Sequence, residues 1–131
     1  MTLDNHRVRE LLVKMVHHRQ TCLPLVNQHS HMALARSASR FVKIEKVMIK
    51  KMAKLFFDQD GDQFMAENAT VYGVAELGNY KEMHFMNKQL LNNLKTLLKA
   101  IDDANLTALV SYWLAALQVE NDELEKQLPQ G

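Results

Sequence analysis

Along most of the chain the apolar residues recur every three or four positions, the period of an amphipathic helix and not the alternation of a strand. The clearest stretch is 32–57, MALARSASRFVKIEKVMIKKMAKLFF. Leu34, Ala38, Phe41, Val42, Met48, Met52, Leu55 and Phe56 fall on one side of it, and Arg36, Arg40, Lys43, Lys46, Lys50 and Lys54 form a basic ridge on another. Before it, Val8, Leu11, Leu12, Met15, Cys22 and Val26 mark a first helix capped by Asp4 or Asn5. Pro24 ends or kinks that helix near Cys22, because proline lacks a backbone donor and clashes with the preceding turn. Residues 27–31, NQHSH, are expected to turn.

The acids and glycine of FFDQDGDQ stop the second helix, with Gly61 read as its C-cap. A third segment, from about Phe64 to Ile101, carries the stripe Met83, Leu90, Leu94, Leu97 and Ile101, interrupted by Asn87. It is read as continuous through Gly73 and Gly78, with a fresh start near Asn79 as the alternative. AIDDANLT makes a turn whose Asp103 or Asn105 caps a last helix, and its stripe from Leu106 through Trp113 and Leu117 to Leu124 precedes Pro129. The pattern predicts one all-α domain over 1–131, an antiparallel up-down-up-down four-helix bundle with long helices, for which a ferritin-like architecture is one realisation.

Composition fits that reading. With 47% hydrophobic and 24% charged residues the chain resembles an ordinary globular domain and not a disordered tail, and four Gly and two Pro are few for a protein of strands and turns. The single Cys excludes an internal disulfide and a cysteine-rich zinc site within one chain. The polar start, MTLDNHRVRE, does not read as a secretory signal, and no uncharged run reaches transmembrane length, so a reducing cytoplasm is expected.

Charge adds a polarity that the net value of +1 conceals. Residues 1–57 hold 11 bases and 3 acids, whereas 58–131 hold 5 bases and 12 acids. A basic first half facing an acidic second half, within one chain or across a homodimer, accounts for both.

Candidate chemistry starts from polar residues that break the inner stripes. His18, Glu45, His84 and Glu120, the last beside Asn121, fall at similar heights when the chain is folded at its turns, as inward ligands do in bundle metal sites. No Glu-x-x-His pair occurs, although di-iron bundles use two. His18 with Cys22, and Met83-His84-Phe85-Met86, offer a softer donor set suited to Cu(I). The acids around Gly61 fit no calcium loop in either register, since Phe56 or Gln63 falls where a ligand or the turn glycine is needed. His17, His18, His29 and His31 cluster near the first turn, where shared titration would make that end pH-sensitive. The basic ridge from Arg36 to Lys54 could track an acidic protein surface or nucleic acid, but no stacking aromatics are interleaved on it. No catalytic elbow, phosphate loop or dinucleotide fingerprint is found. The expected function is a non-enzymatic interaction module that self-associates through apolar and charged helix faces. It requires no cofactor. A metal-binding bundle and a polyanion binder are the alternatives.

Overall fold

A computed structural model of the chain describes residues 5–27, 32–69 and 80–126. They are almost entirely helical: α1 (Asn5–Cys22), a 3-10 turn (Leu23–Asn27), α2 (Met32–Phe57), α3 (Gly61–Asn68), α4 (Tyr80–Lys99) and α5 (Ala104–Glu125), with no strand among the described residues. The α1 boundary falls at Cys22 because Pro24 cannot continue the ladder, and the chain tightens into 3-10 instead. Asp103 caps α5 by accepting from the Leu106 N–H at 2.9 Å, as its position before the apolar run requires.

Two expectations about the middle of the chain are corrected. Gly61 is not the cap of α2. Asp58 takes the left-handed position there (φ 51), its N–H bonding Lys54 O, while Asp60 caps a new helix that opens at Gly61. Glycine is needed at 61 because a Cβ would lie 2.5 Å from Lys50 Cα, so α3 crosses α2 at backbone contact. Nor is the third segment one helix. α3 ends at Asn68, with Ala69 extended, and α4 begins at Tyr80; the glycines at 73 and 78 lie outside the described residues. Among the described residues there are thus five α-helices, four long and one short.

The connection order also differs. Asn5 Nδ2 donates to Phe56 O, which sets the start of α1 beside the end of α2, and His84 beside Glu125 does the same for α4 and α5. A groove joining Arg7 and Leu11 to Asn93 and Leu97, and another joining Thr21 to Met86, run α1 against α4. Hence α2 and α4 both oppose α1 and are parallel to each other: the four long helices run up-down-down-up, with α3 as the rising link between the second and the third, and not up-down-up-down as four consecutive long helices would. α1 packs on α2 and α4, and α5 packs on the same two, so the four long helices close a ring. α3 carries the chain back along the outside of the first hairpin, from the Phe57 end to His17, whose Nε2 lies 3.1 Å from Asn68 O. Phe64 of α3 stacks on Phe57 at 6.1 Å, and the Arg9 guanidinium sits 4.5 Å over the Phe57 ring, tying α1, α2 and α3 together.

Candidate functional site

Each long helix sends one polar side chain into the apolar core at a common level: His18 from α1, Glu45 from α2, Asn87 from α4 and Asn121 from α5, all buried. Met15, Phe41, Met48, Met83 and Leu117, three or four positions from these residues on the same helices, belong to the buried apolar core. His18 Nδ1 stands 2.9 Å from Glu45 Oε2, His18 Nε2 lies 2.8 Å from Asn87 Oδ1, and Asn87 Nδ2 donates to Asn121 Oδ1 at 3.2 Å. That last bond orients the Asn87 amide and leaves its oxygen towards the imidazole. Both ring nitrogens of His18 therefore face acceptors, and only the imidazolium carries a proton on each. The Phe41 ring lies 5.1 Å away and packs against the cation.

The electrostatics agree with the geometry. Burial pushes the His18 imidazolium down, but the Glu45 carboxylate and the Cys22 thiol beside it prevail and hold its pKa well above 6.5. Burial raises Glu45 from 4.5, opposed by the His18 charge and more weakly by Arg19. Burial and the His18 charge thus pull on Glu45 in opposite directions, and Glu45 is poorly provided for. His18 Nδ1, 2.9 Å from Oε2, is its one close polar contact, and neither carboxylate oxygen makes a well-aligned hydrogen bond among the described residues.

Cys22 Sγ lies 3.6 Å from His18 Nδ1, so the imidazole stands between a thiol and an amide oxygen, the order found in Cys-His-Asn nucleophile systems. Here the thiol is fully buried, burial raises its pKa, and Glu45 occupies the approach to Nδ1. The arrangement holds a packed thiol and presents no exposed thiolate.

Of the four predicted inward ligands the structure brings two together, His18 and Glu45. His84 lies at the rim, 3.9 Å from Glu125, and Glu120 turns to Arg40 at 3.7 Å. The positions they were expected to fill belong to Asn87 and Asn121. Among the described residues no three His, Cys, Asp or Glu side chains are arranged to hold a metal ion. In the softer set, Met83 is buried, Met86 half-buried and Phe85 exposed, so the run spreads around α4 and does not converge. His17 bonds Asn68 and points away from His18, while His29 and His31 lie outside the described residues. All six ridge residues, Arg36, Arg40, Lys43, Lys46, Lys50 and Lys54, are exposed. Three meet acids from the second half of the chain: Arg40 with Glu120, Lys50 with Asp62 at 3.6 Å, and Lys54 with Asp58 at 2.6 Å.

A second inversion of pattern lies on the outside. Residues 104–119 of α5 carry no charged side chain, and Ala108, Tyr112, Ala115 and Val119, spaced by four, three and four, are all exposed. Tyr112 is 72% and Val119 58% accessible. On neighbouring α2, Val47 and Leu55 are also more than half accessible. The register that pairs Arg40 with Glu120 sets Val47 and Tyr112 level, each about 10–12 Å along its helix at ~1.5 Å per residue. The reading from sequence followed the inner stripes and missed this face; the missing charges over sixteen residues were the available signal. Single exposed apolar residues are ordinary, but a strip of them spanning two helices marks a contact surface.

A search of known protein families, of curated proteins and of solved structures returns no match to this chain.

Proposed function

We propose that the protein is a non-enzymatic interaction module that docks through the face formed by α2 and α5. The observation that carries this is the uncharged strip Ala108, Tyr112, Ala115 and Val119, exposed on a helix whose inner side already fills the core. A helix apolar all round is stable in water when something covers its outer side. The four long helices serve as a rigid scaffold for that face, a four-helix bundle whose single crossover between two hairpins is the connectivity of ferritin-like architectures. Among the described residues no helix is long and apolar enough to cross a membrane, so a lipid-spanning role does not explain the strip. A photo-crosslinking residue, benzoylphenylalanine, placed at Tyr112 in producing cells should give a discrete adduct, and the same residue at Lys95 on the outer side of α4 should give none. Equal crosslinking at both positions, or at neither, would remove the proposal.

A metal-binding core is the second reading, favoured by the buried Glu45 carboxylate without hydrogen bonds. It has the His18–Glu45 pair on its side, lacks His84 and Glu120, and finds no third His, Cys, Asp or Glu placed to complete a site among the described residues. Stoichiometric iron, manganese or copper in protein purified without an affinity tag, lost in Glu45→Gln, would establish it. Polyanion binding by the ridge is weaker, because Arg40, Lys50 and Lys54 already meet carboxylates of the same chain.

A further inference from the structure

We infer that the occupant of the α2/α5 face is a second copy of this chain, related by a two-fold axis that runs parallel to the helices; the inference rests on the docking reading above and specifies the partner. The α5 side of the face is split by charge along its length, whereas α2 is basic throughout. At one end Arg36 and Arg40 of α2 and Glu120 and Glu123 of α5 line a single groove. Beyond that end α5 offers only uncharged residues down to Ala104, level with the Val47 and Leu55 stretch of α2. A two-helix face about 30 Å long and 20 Å wide gives roughly 600 Å² in plan, close to the ~800 Å² of accessible surface per partner in a standard interface.

Two copies can meet face to face about a two-fold axis in two ways. With the axis across the helices, α2 lies on α2 and α5 on α5. With that axis level with Val47, Lys43 of each copy confronts Lys51 of the other, and the acids of one copy do not reach the bases of the other. With the axis along the helices, each α2 lies on the other copy's α5 and heights are kept. Arg36 of each copy then meets Glu123 of the other, twice per dimer, while Tyr112 of each copy lies level with Val47 of the other. Like charges oppose each other in the first arrangement and opposite charges meet in the second, so charge selects the second. The arrangement is isologous and closes on itself, leaving no strip exposed for further copies.

The test uses two single variants, Arg36→Glu and Glu123→Lys, both at exposed positions and both checked for helicity. Sedimentation of the unaltered protein at micromolar concentration should give twice the 15.1 kDa chain mass. Each variant alone opposes like charges at both contacts and should self-associate about tenfold more weakly or worse. Mixed, the two variants should recover a heterodimer near the affinity of the unaltered protein, because both contacts are restored in it. A monomer at every concentration would overturn the second-copy inference while leaving the docking face to the crosslink at Tyr112. A dimer that survives Tyr112→Glu with Val119→Glu would place self-association elsewhere and overturn the second-copy inference, again leaving the docking face to the crosslink at Tyr112. Variants that stay dimeric alone, or that fail to pair when mixed, would overturn the axis.

Discussion

At mid-height the protein puts His18, Glu45, Asn87 and Asn121 where flanking core positions are apolar, and outside α5 it puts Ala108, Tyr112, Ala115 and Val119 where α4 carries Lys81, Lys88, Lys95 and Lys99. Both depart from the usual pattern of apolar inside and polar outside, but in opposite directions. The buried layer finds its partners within the chain, one side chain from each long helix, so its polarity fixes which helices lie together and at what register. The outer strip is no part of the core, so altering it should leave the fold intact and change only what the fold can join. Substitutions in the layer should therefore register as stability, and substitutions on the strip as association.

The largest effect is expected at Glu45. Glu45→Leu leaves the His18 cation buried without its counter-charge and should cost about 3–5 kcal/mol in urea unfolding. Adding His18→Leu to that variant should recover part of the loss, since the orphaned charge goes with it; a double variant worse than Glu45→Leu would show that the pair is not coupled as described. Next comes Gly61→Ala, whose methyl would meet Lys50 Cα at 2.5 Å, too close for packing to absorb without moving α3. A loss of about 1–3 kcal/mol is expected, and a neutral result would place α3 differently.

The layer also predicts a pH dependence with a definite sign. The folded-state pKa of His18 lies well above 6.5, so the native state keeps a proton that the unfolded chain releases. Its contribution is complete below about pH 6.5 and is lost as pH rises through the folded value. Glu45, also raised, acts with the same sign from 4.5 upward. Stability from these groups should thus fall with rising pH, by at most ~1.4 kcal/mol per pH unit for one proton, and Glu45→Gln should flatten the profile. The smallest effect on the fold belongs to the strip: Tyr112→Glu with Val119→Glu should change unfolding stability of the dilute protein by no more than about 0.5 kcal/mol per site.

How much of this was legible beforehand follows from the same contrast. The 3-4 spacing revealed the long helices, and His18 and Glu45 were visible as interruptions of inner stripes. Asn87 and Asn121 interrupt their stripes at steps of four from Met83 and Leu117, so the same argument named their positions. His84 and Glu120 stood out by their chemistry, yet each is off the buried line of its helix: His84 is one residue past Met83 and Glu120 one before Asn121, a rotation of about 100°. Period predicts direction better than residue type does. The up-down-down-up path was not legible, because it depends on the backbone contact between Gly61 and Lys50 and on where α3 leads the chain, and neither leaves a periodic signal. The outer strip was legible in principle, as an absence of charge over 104–119.

Hydroxyl-radical footprinting over a concentration series compares the two outer faces within one sample. Tyr112 on α5 and Phe85 on α4 are both aromatic and both well exposed, at 72% and 62%, so each reports its own side of the molecule. If a second copy covers the α2/α5 face, oxidation of Tyr112 falls as concentration rises while that of Phe85 stays constant. Protection of Phe85 with Tyr112 unchanged, or equal rates for both at every concentration, would contradict the account.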